Sequence, residues 1–390
     1  MNLLNFPWTE AAAEGRALFI YDLPELKRRS LKVCELMQAS SPGAQVSFSV
    51  KANPHPEVLR TLSHTMHGFD VSSELELALC RRLGIAGDRI SLSGPGKTDE
   101  CLRLAKDMNV AVVQIDSLDE LAFAQKIGLN RLSFRIHTPD IFSTKLGLSD
   151  EDLAMALSQL KVPALGLHLY MGREAFQWER LQEAKLQMHH WFTSYPQHFV
   201  KTPRYYIGPG MPASWSFDDA HGARSEISAS PEAVSYEIGR GIVADCGFYA
   251  VPVLARKKLD RGGEVLIVHG GLQHLGSPFV SFGQKVSDLR ARVVRDGRYL
   301  GAGATDTGDD QEFLIAGSLC LAHDILHPRL ELPRSVNRGD WIIFPRAGAY
   351  GLSAGVPFFI GQDLPREVIF DGATFADATL STFRLYHESF

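Results

Sequence analysis

The stretch FSVKANPHP, residues 48 to 56, puts a lysine where an apolar strand ends. Phe48, Ser49 and Val50 read as buried strand, Ala52-Asn53-Pro54 stops it, and Lys51 stands between them. A partly buried amine at such an edge can lose its proton and condense with an aldehyde as a Schiff base. Taken alone, Lys51 reads as a solvated rim cation. Other residues of reactive type end neighbouring apolar runs. Asp70 lies in GFDV, Arg135 near the end of LSFRI, His168 and Tyr170 in LGLHLY, and Gly208 and Gly210 in YIGPGMP. Glu237 closes VSYEI, with Arg240 three residues on. Glycines let backbone N–H groups approach a phosphate closely, although Pro209 offers none. Arg240 suits the same anion by charge and fork geometry. A carboxylate such as Glu237 can keep a pyridine nitrogen protonated and make its ring an electron sink. Together these groups meet the needs of an aldehyde cofactor bearing a phosphate and a pyridine nitrogen.

The elements that must position them follow from hydrophobic periodicity. Eight runs read as strands: 45–50, 68–71, 89–93, 111–115, 132–136, 165–170, 204–208 and 234–238. Amphipathic segments between them read as helices, several opened by a capping residue such as Ser73, Thr98 or Ser149. The long segment EAFQWERLQEAKLQMHHWF, from Glu174, reads as one helix. This alternation predicts a (β/α)8 TIM-like barrel over 24–244, in which function gathers at the C-terminal ends of the strands. Near residue 245 the pattern changes to strands with turn-forming breaks, as in GDWIIFPRAGAYG. Residues 245–390, joined by 1–23 through LFIYDL, are predicted to form an antiparallel β-barrel or sandwich domain.

Composition narrows the function classes. The 390 residues are 45% hydrophobic and 22% charged, with a formal net charge of −5, and no basic stripe marks a nucleic-acid partner. No apolar run is long enough to span a bilayer, and the N-terminus lacks the pattern of a secretory signal. Five cysteines without a CxxC pair suggest reduced thiols and a cytoplasmic setting. His323 and His327 have the spacing of a helical metal pair, but no carboxylate or thiolate completes a site, so no metal is expected.

The motifs SVKANPHPEVL, GFDVSSELEL, SGPGKTDE, SFRIHT, TKLGL, EIGRGIVADCG, GSLCLAHDIL and GDWIIFPRAGAYG resemble, in order, those of the pyridoxal-phosphate-dependent decarboxylases with the alanine-racemase-like fold. That family includes ornithine, arginine and diaminopimelate decarboxylases. The resemblance runs from about residue 18 to the end. It implies pyridoxal 5'-phosphate as cofactor, bonded to Lys51 with Asp70 nearby, and Glu237 on the pyridine nitrogen. It also implies a phosphate site of Gly208, Gly210, Gly239, Arg240 and Tyr350. Family members are typically homodimers with shared active sites. By that resemblance Cys320 of one subunit would reprotonate the substrate carbon in the other, and Asp324 would pair with Lys145 across the interface.

The sequence also departs from the family pattern. Tyr170 stands where the family usually has a histidine stacked on the ring, and Arg173 where it has a phosphate-binding serine; a tyrosine can still stack and an arginine can still meet phosphate. His168 matches a histidine of diaminopimelate-type members. Leu321 replaces the acidic residue that follows the active cysteine, Gly270 replaces a second one, and Gly276-Ser277 replace an arginine region. Losing an ion partner for a charged substrate end costs a few kcal/mol, on the order of 10³ in specificity. The substrate is therefore expected to be a conjugated amino acid, joined to an organic acid or an acyl carrier, as in siderophore and other specialised-metabolite pathways. Arg135, Arg173 and Arg346 are available to added carboxylates. A decarboxylase of a free diamino acid, a racemase and a catalytically silent homologue are the alternatives. Glu237 speaks against the racemase, since alanine racemases resembling this fold place arginine there, and retention of Lys51, Glu237, Arg240 and Cys320 speaks against the silent form.

Overall fold

A computed structural model describes residues 3–137, 146–213, 215, 233–260, 262–275, 290–300, 309–379, 381 and 384. Lys145, Gly276 and Ser277 lie outside the described residues. Contacts divide the chain into two compact units, 27–242 with 383–390, and 1–26 with 243–382.

After helix α1 (Trp8–Glu14), strand β1 (Leu18–Asp22) and helix α2 (Leu23–Ser40), the chain builds a closed barrel of eight parallel strands. They are β2 (Gln45–Ser49), β3 (Gly68–Val71), β4 (Ile90–Leu92), β5 (Val112–Ile115), β6 (Leu132–Arg135), β7 (Ala164–Tyr170), β8 (Phe199–Gly208) and β9 (Ala233–Ile238). All eight expected strands are present. Strands β3 to β6 are buried at every residue and β8 over its last four, which explains why they read as continuous apolar runs rather than as clean alternation. Register sets Phe48 beside Phe69 and Phe69 beside Ile90, whereas Ser49, Asp70 and Ser91 form the other row. The large aromatics are fully buried. The second row is small or polar, and it ends in the residues of the site.

Helices α3 (Pro56–Ser63), α4 (Glu74–Arg82), α5 (Asp99–Asp107), α6 (Leu118–Lys126), α7 (Asp150–Ser158) and α8 (Trp178–Ser194) cross between strands. Ser73, Thr98, Ser117 and Ser149 each accept an N–H from the third residue onward, as side-chain caps do. Glu76 and Glu120 reach back to the backbone N–H of Ser72 and Asp116, both at 2.6 Å, so each helix start is tied to its strand end. Helix α8 begins at Trp178, four residues later than its composition predicts. Glu174 has φ 54°, and a left-handed residue cannot open a right-handed helix.

After α9 (Arg240–Val243) come nine further strands: β10 (Gly247–Lys258), β11 (Glu264–Val268), β12 (Arg292–Arg295), β13 (Arg298–Leu300), β14 (Asp310–Ala316), β15 (Ile325–Pro333), β16 (Trp341–Phe344), β17 (Arg366–Phe370) and β18 (Phe375–Asp377). With β1 they make a ten-stranded sheet among the described residues. It is mostly antiparallel, but β1–β17 and β11–β14 pair in parallel. Strand β1 lies between β10 and β17, and Leu18, Ile20, Trp341, Ile343 and Val368 form a core on which Phe6 and Trp8 close. No helix among the described residues is long and apolar enough to cross a membrane.

Candidate active site

Strand β2 ends in a single 3-10 turn, Val50–Ala52, that swings Lys51 out of the strand line. The turn leaves the Lys51 side chain 45% exposed, a half-buried amine at the strand end. Its Nζ donates to Asp70 Oδ2 at 2.9 Å and to Ser72 Oγ at 3.1 Å. Asp70 is fully buried on β3, and its other oxygen accepts from Ser93 Oγ at 2.7 Å. Burial alone would raise this carboxyl, but the Lys51 charge and the Ser93 hydrogen bond hold it below the ordinary carboxylate range. Glu76, which fixes Ser72, is pushed up to about 7, chiefly by burial.

The second group is a histidine–carboxylate pair on β7 and β9. His168 Nε2 lies 2.9 Å from Glu237 Oε2, with both side chains at least nine-tenths buried. Glu237 Oε1 and His168 Nδ1 have no hydrogen-bond partner in the structure. An ionisable pair that leaves an acceptor unsatisfied in the interior is poised for a donor from outside the chain. Arg135, at the end of β6 and directly beside His168 in register, is also buried. A cavity of about 540 Å³ opens at the opposite, N-terminal ends of the strands, lined by Gln45, Gly68, Arg204 and Ser235, and it reaches Glu237 from below. Catalytic groups in such barrels stand at the C-terminal ends, so this cavity is not the reaction site.

Glycines shape the third group. The Tyr170 ring lies against Gly208, where an added Cβ would come within 2.8 Å of it. Gly210 has φ 67°, and a Cβ there would strike the Gly172 carbonyl, so the loops after β7 and β8 touch backbone to backbone. Gly239 packs equally closely on Ala52 and Ser49, which brings the Gly239-Arg240 turn beside the Lys51 turn. Arg173 is exposed. Its neighbour Glu174, which sequence reasoning passed over, turns inward instead and places Oε1 4.0 Å from Arg240 Nε, both side chains being nine-tenths buried. A carboxylate in a left-handed backbone position left no periodic signal in the sequence.

Cys320, Leu321, Asp324 and Tyr350 belong to the other unit. Cys320 is an exposed thiol on the turn between β14 and β15. Asp324 closes that turn from inside its own chain: it is 2% exposed and accepts from Leu272 N and Leu319 N, both at 2.8 Å. A Cβ on Gly271 or Gly317 would overlap its carboxylate. Burial raises its carboxyl above the ordinary range. Gly270 has no room for a side chain, because a Cβ would strike the Tyr249 hydroxyl. Leu321 is half-buried, Tyr350 has φ 54°, and Arg346 Nε lies 3.4 Å from Asp245 Oδ1. His323 and His327 stand on a loop and on β15, so the helical spacing considered for them does not arise.

Residues 27–221 match the family model described as pyridoxal-dependent decarboxylase, pyridoxal binding domain. The chain is 30% identical over 363 residues to an ornithine decarboxylase of Schizosaccharomyces pombe, covering 89% of this chain and 82% of that protein. It is 24% identical to a 2-[(L-alanin-3-ylcarbamoyl)methyl]-2-hydroxybutanedioate decarboxylase of Staphylococcus aureus, covering 90% of this chain and 93% of the relative. The solved arginine decarboxylase of Paramecium bursaria Chlorella virus, bound to agmatine, superposes with a TM-score of 0.79 at 20% identity, over 95% of this chain and all of that one.

Proposed function

This chain belongs to the pyridoxal-dependent decarboxylases, and from that premise we propose that it removes the α-carboxylate of an amino acid whose side chain already carries an anionic conjugate. Pyridoxal 5'-phosphate, the cofactor of this family, supplies when bound an aldehyde for amines and a protonated ring that accepts the electron pair left by CO2. The donor set fits that group. Lys51 presents a half-exposed amine, Glu237 has a buried oxygen without a partner, and Gly208, Gly210 and Gly239 leave close backbone approach beside Arg240.

In this reading Lys51 would hold the aldehyde. Asp70 and Ser72 fix its Nζ. Glu237 keeps a proton at the ring nitrogen, and His168 fixes the carboxylate from its other oxygen. Tyr170 offers its ring face, and Gly208, Gly210, Gly239, Arg240 and Tyr350 take the phosphate. Cys320 of a partner subunit returns a proton to the substrate carbon, in a homodimer with shared sites. Electrostatic placement of these groups is the protein's main contribution to rate.

The observation that carries the substrate reading is Gly270. A second acidic residue, which would receive a distal ammonium, is excluded there by the Tyr249 hydroxyl rather than merely missing. Leu321 adds an apolar side chain where the other acid would stand. On the barrel side the buried guanidinium is Arg135, a group suited to a carboxylate. The 24%-identical staphylococcal relative acts, by its name, on an alanine joined through an amide to a hydroxytricarboxylate skeleton. Such a substrate suits specialised metabolism of the siderophore kind.

The test is CO2 release by purified holoenzyme. Free ornithine, lysine and diaminopimelate are compared with 2-[(L-alanin-3-ylcarbamoyl)methyl]-2-hydroxybutanedioate and with a carrier-bound aminoacyl group. A conjugate is expected to exceed every free diamino acid in kcat/KM by roughly 10³, the scale of one mismatched ion partner. Efficient turnover of any free diamino acid overturns the reading.

A further inference from the structure

We propose that Glu174 is a built-in competitor of the cofactor phosphate for Arg240, so that the chain holds its cofactor more weakly than its cradle alone would allow. The inference rests on the reading of Gly208, Gly210, Gly239 and Arg240 as the phosphate cradle. Its first support is geometric. The Glu174 carboxylate lies 4.0 Å from Arg240 Nε, within Coulombic reach but beyond hydrogen-bond distance. At that length the carboxylate contributes charge to the guanidinium and not a hydrogen bond, so its effect on a second anion is repulsion. Both side chains are nearly buried, which weakens solvent screening.

The second support is backbone strain. Glu174 has φ 54°, in the left-handed region that glycine enters freely and glutamate does not. Gly172, at φ 108°, and Gly210, at φ 67°, interlock the two loops around it, and a Cβ on Gly210 would also come within 3.2 Å of Ala175 N. The packing thus forces residue 174 into a conformation that disfavours side chains, and the sequence nonetheless places a carboxylate there. Strain of this kind persists where the surroundings over-determine it, and it gathers at functional sites. Arg173, the adjacent cation, faces solvent and leaves the inward position to the acid.

The repulsion falls on the phosphate and not on the aldehyde or the ring. Equilibrium binding to the full-length chain freed of cofactor therefore separates the contributions. Pyridoxal 5'-phosphate and unphosphorylated pyridoxal are titrated into the unmodified protein, Glu174→Gln, Glu174→Gly and Arg240→Gln, with absorbance and intrinsic fluorescence as readouts. Glu174→Gln is expected to lower the Kd for the phosphorylated form about tenfold or more and that for pyridoxal less than about twofold. Glu174→Gly should do the same while also relieving the backbone, which guards against a folding defect of either variant. Unchanged or weaker binding of the phosphorylated form in both Glu174 variants, with a loss in Arg240→Gln, overturns the inference and leaves the cradle standing. An Arg240→Gln variant that keeps the full preference for the phosphorylated form overturns the cradle itself.

Discussion

Two carboxylates show how position alone sets a residue's chemistry. Asp70 is fully buried yet held below the ordinary range, because Lys51 and Ser93 stabilise its charge. Glu367, on β17, is 2% exposed and meets only the Tyr21 hydroxyl, at 3.5 Å, on one oxygen, while Oε2 has no hydrogen-bond partner. Burial pushes it up to about 8. The two have opposite consequences for stability. Asp70 stabilises the fold above the unfolded carboxylate range and loses that contribution as pH falls through its folded value. Glu367 binds its proton more tightly folded than unfolded, so its contribution is complete below about 4.5 and is lost as pH rises towards 8. Glu367→Gln removes the ionisation and keeps the shape. The variant should therefore gain Tm over the unmodified chain at pH 8.5, by several degrees, and show little gain at pH 5. Equal gains at both values in scanning calorimetry would contradict this account.

At the scale of elements, the turn between β14 and β15 is organised by one buried acid. Asp324 satisfies Leu272 N and Leu319 N, and Gly271 and Gly317 give it room. Asp324→Ala would orphan both N–H groups and leave a void, costing roughly 2–4 kcal/mol. It should also loosen the residue before Cys320. Four cysteines are buried, Cys34 and Cys101 being pushed up to about 11 chiefly by burial, whereas Cys320 is exposed. A chromogenic disulfide should thus react with one thiol per native chain, faster in Asp324→Ala, and with none in Cys320→Ala; fast reaction of a second thiol would refute the burial assignment. None of this turn was legible beforehand. The sequence shows spacing and not the two backbone groups that converge on the acid, and the pairing with Lys145 implied by the family resemblance falls on a residue outside those described. The barrel was legible because its signals are local: eight short apolar runs, and caps such as Ser73 and Thr98 three residues from the groups they satisfy. Where a distant contact decides, the local signal misleads. Helix α8 starts late because the loop at Glu174 is locked against Gly210, 36 residues on. The His168–Glu237 bond joins residues 69 apart, and only the barrel's closure reveals it.

For the whole molecule, the proposed chemistry is divided between Lys51 on the barrel and Cys320 in the other compact unit. A shared site in a two-fold dimer makes a specific demand on mixtures of inactive chains. Take Lys51→Ala and Cys320→Ala, each purified and each nearly inactive, and let subunits exchange at equal concentration. If every site draws its amine from one chain and its thiol from the other, each mixed dimer contains one site with both groups intact and one with neither. Random exchange makes about half of the dimers mixed, so the mixture should recover about a quarter of the unmodified activity. A site complete within one chain gives no recovery, because neither variant then owns an intact set. Light scattering on the same mixture fixes the assembly, and a monomer would remove the shared-site proposal outright. The inactive Lys51→Ala chain carries a second readout: under the proposal, Lys51 of the Cys320→Ala chain is the amine that borohydride reduces onto the cofactor. Reduction should therefore label the Cys320→Ala chain alone, which mass spectrometry of the separated chains reads directly.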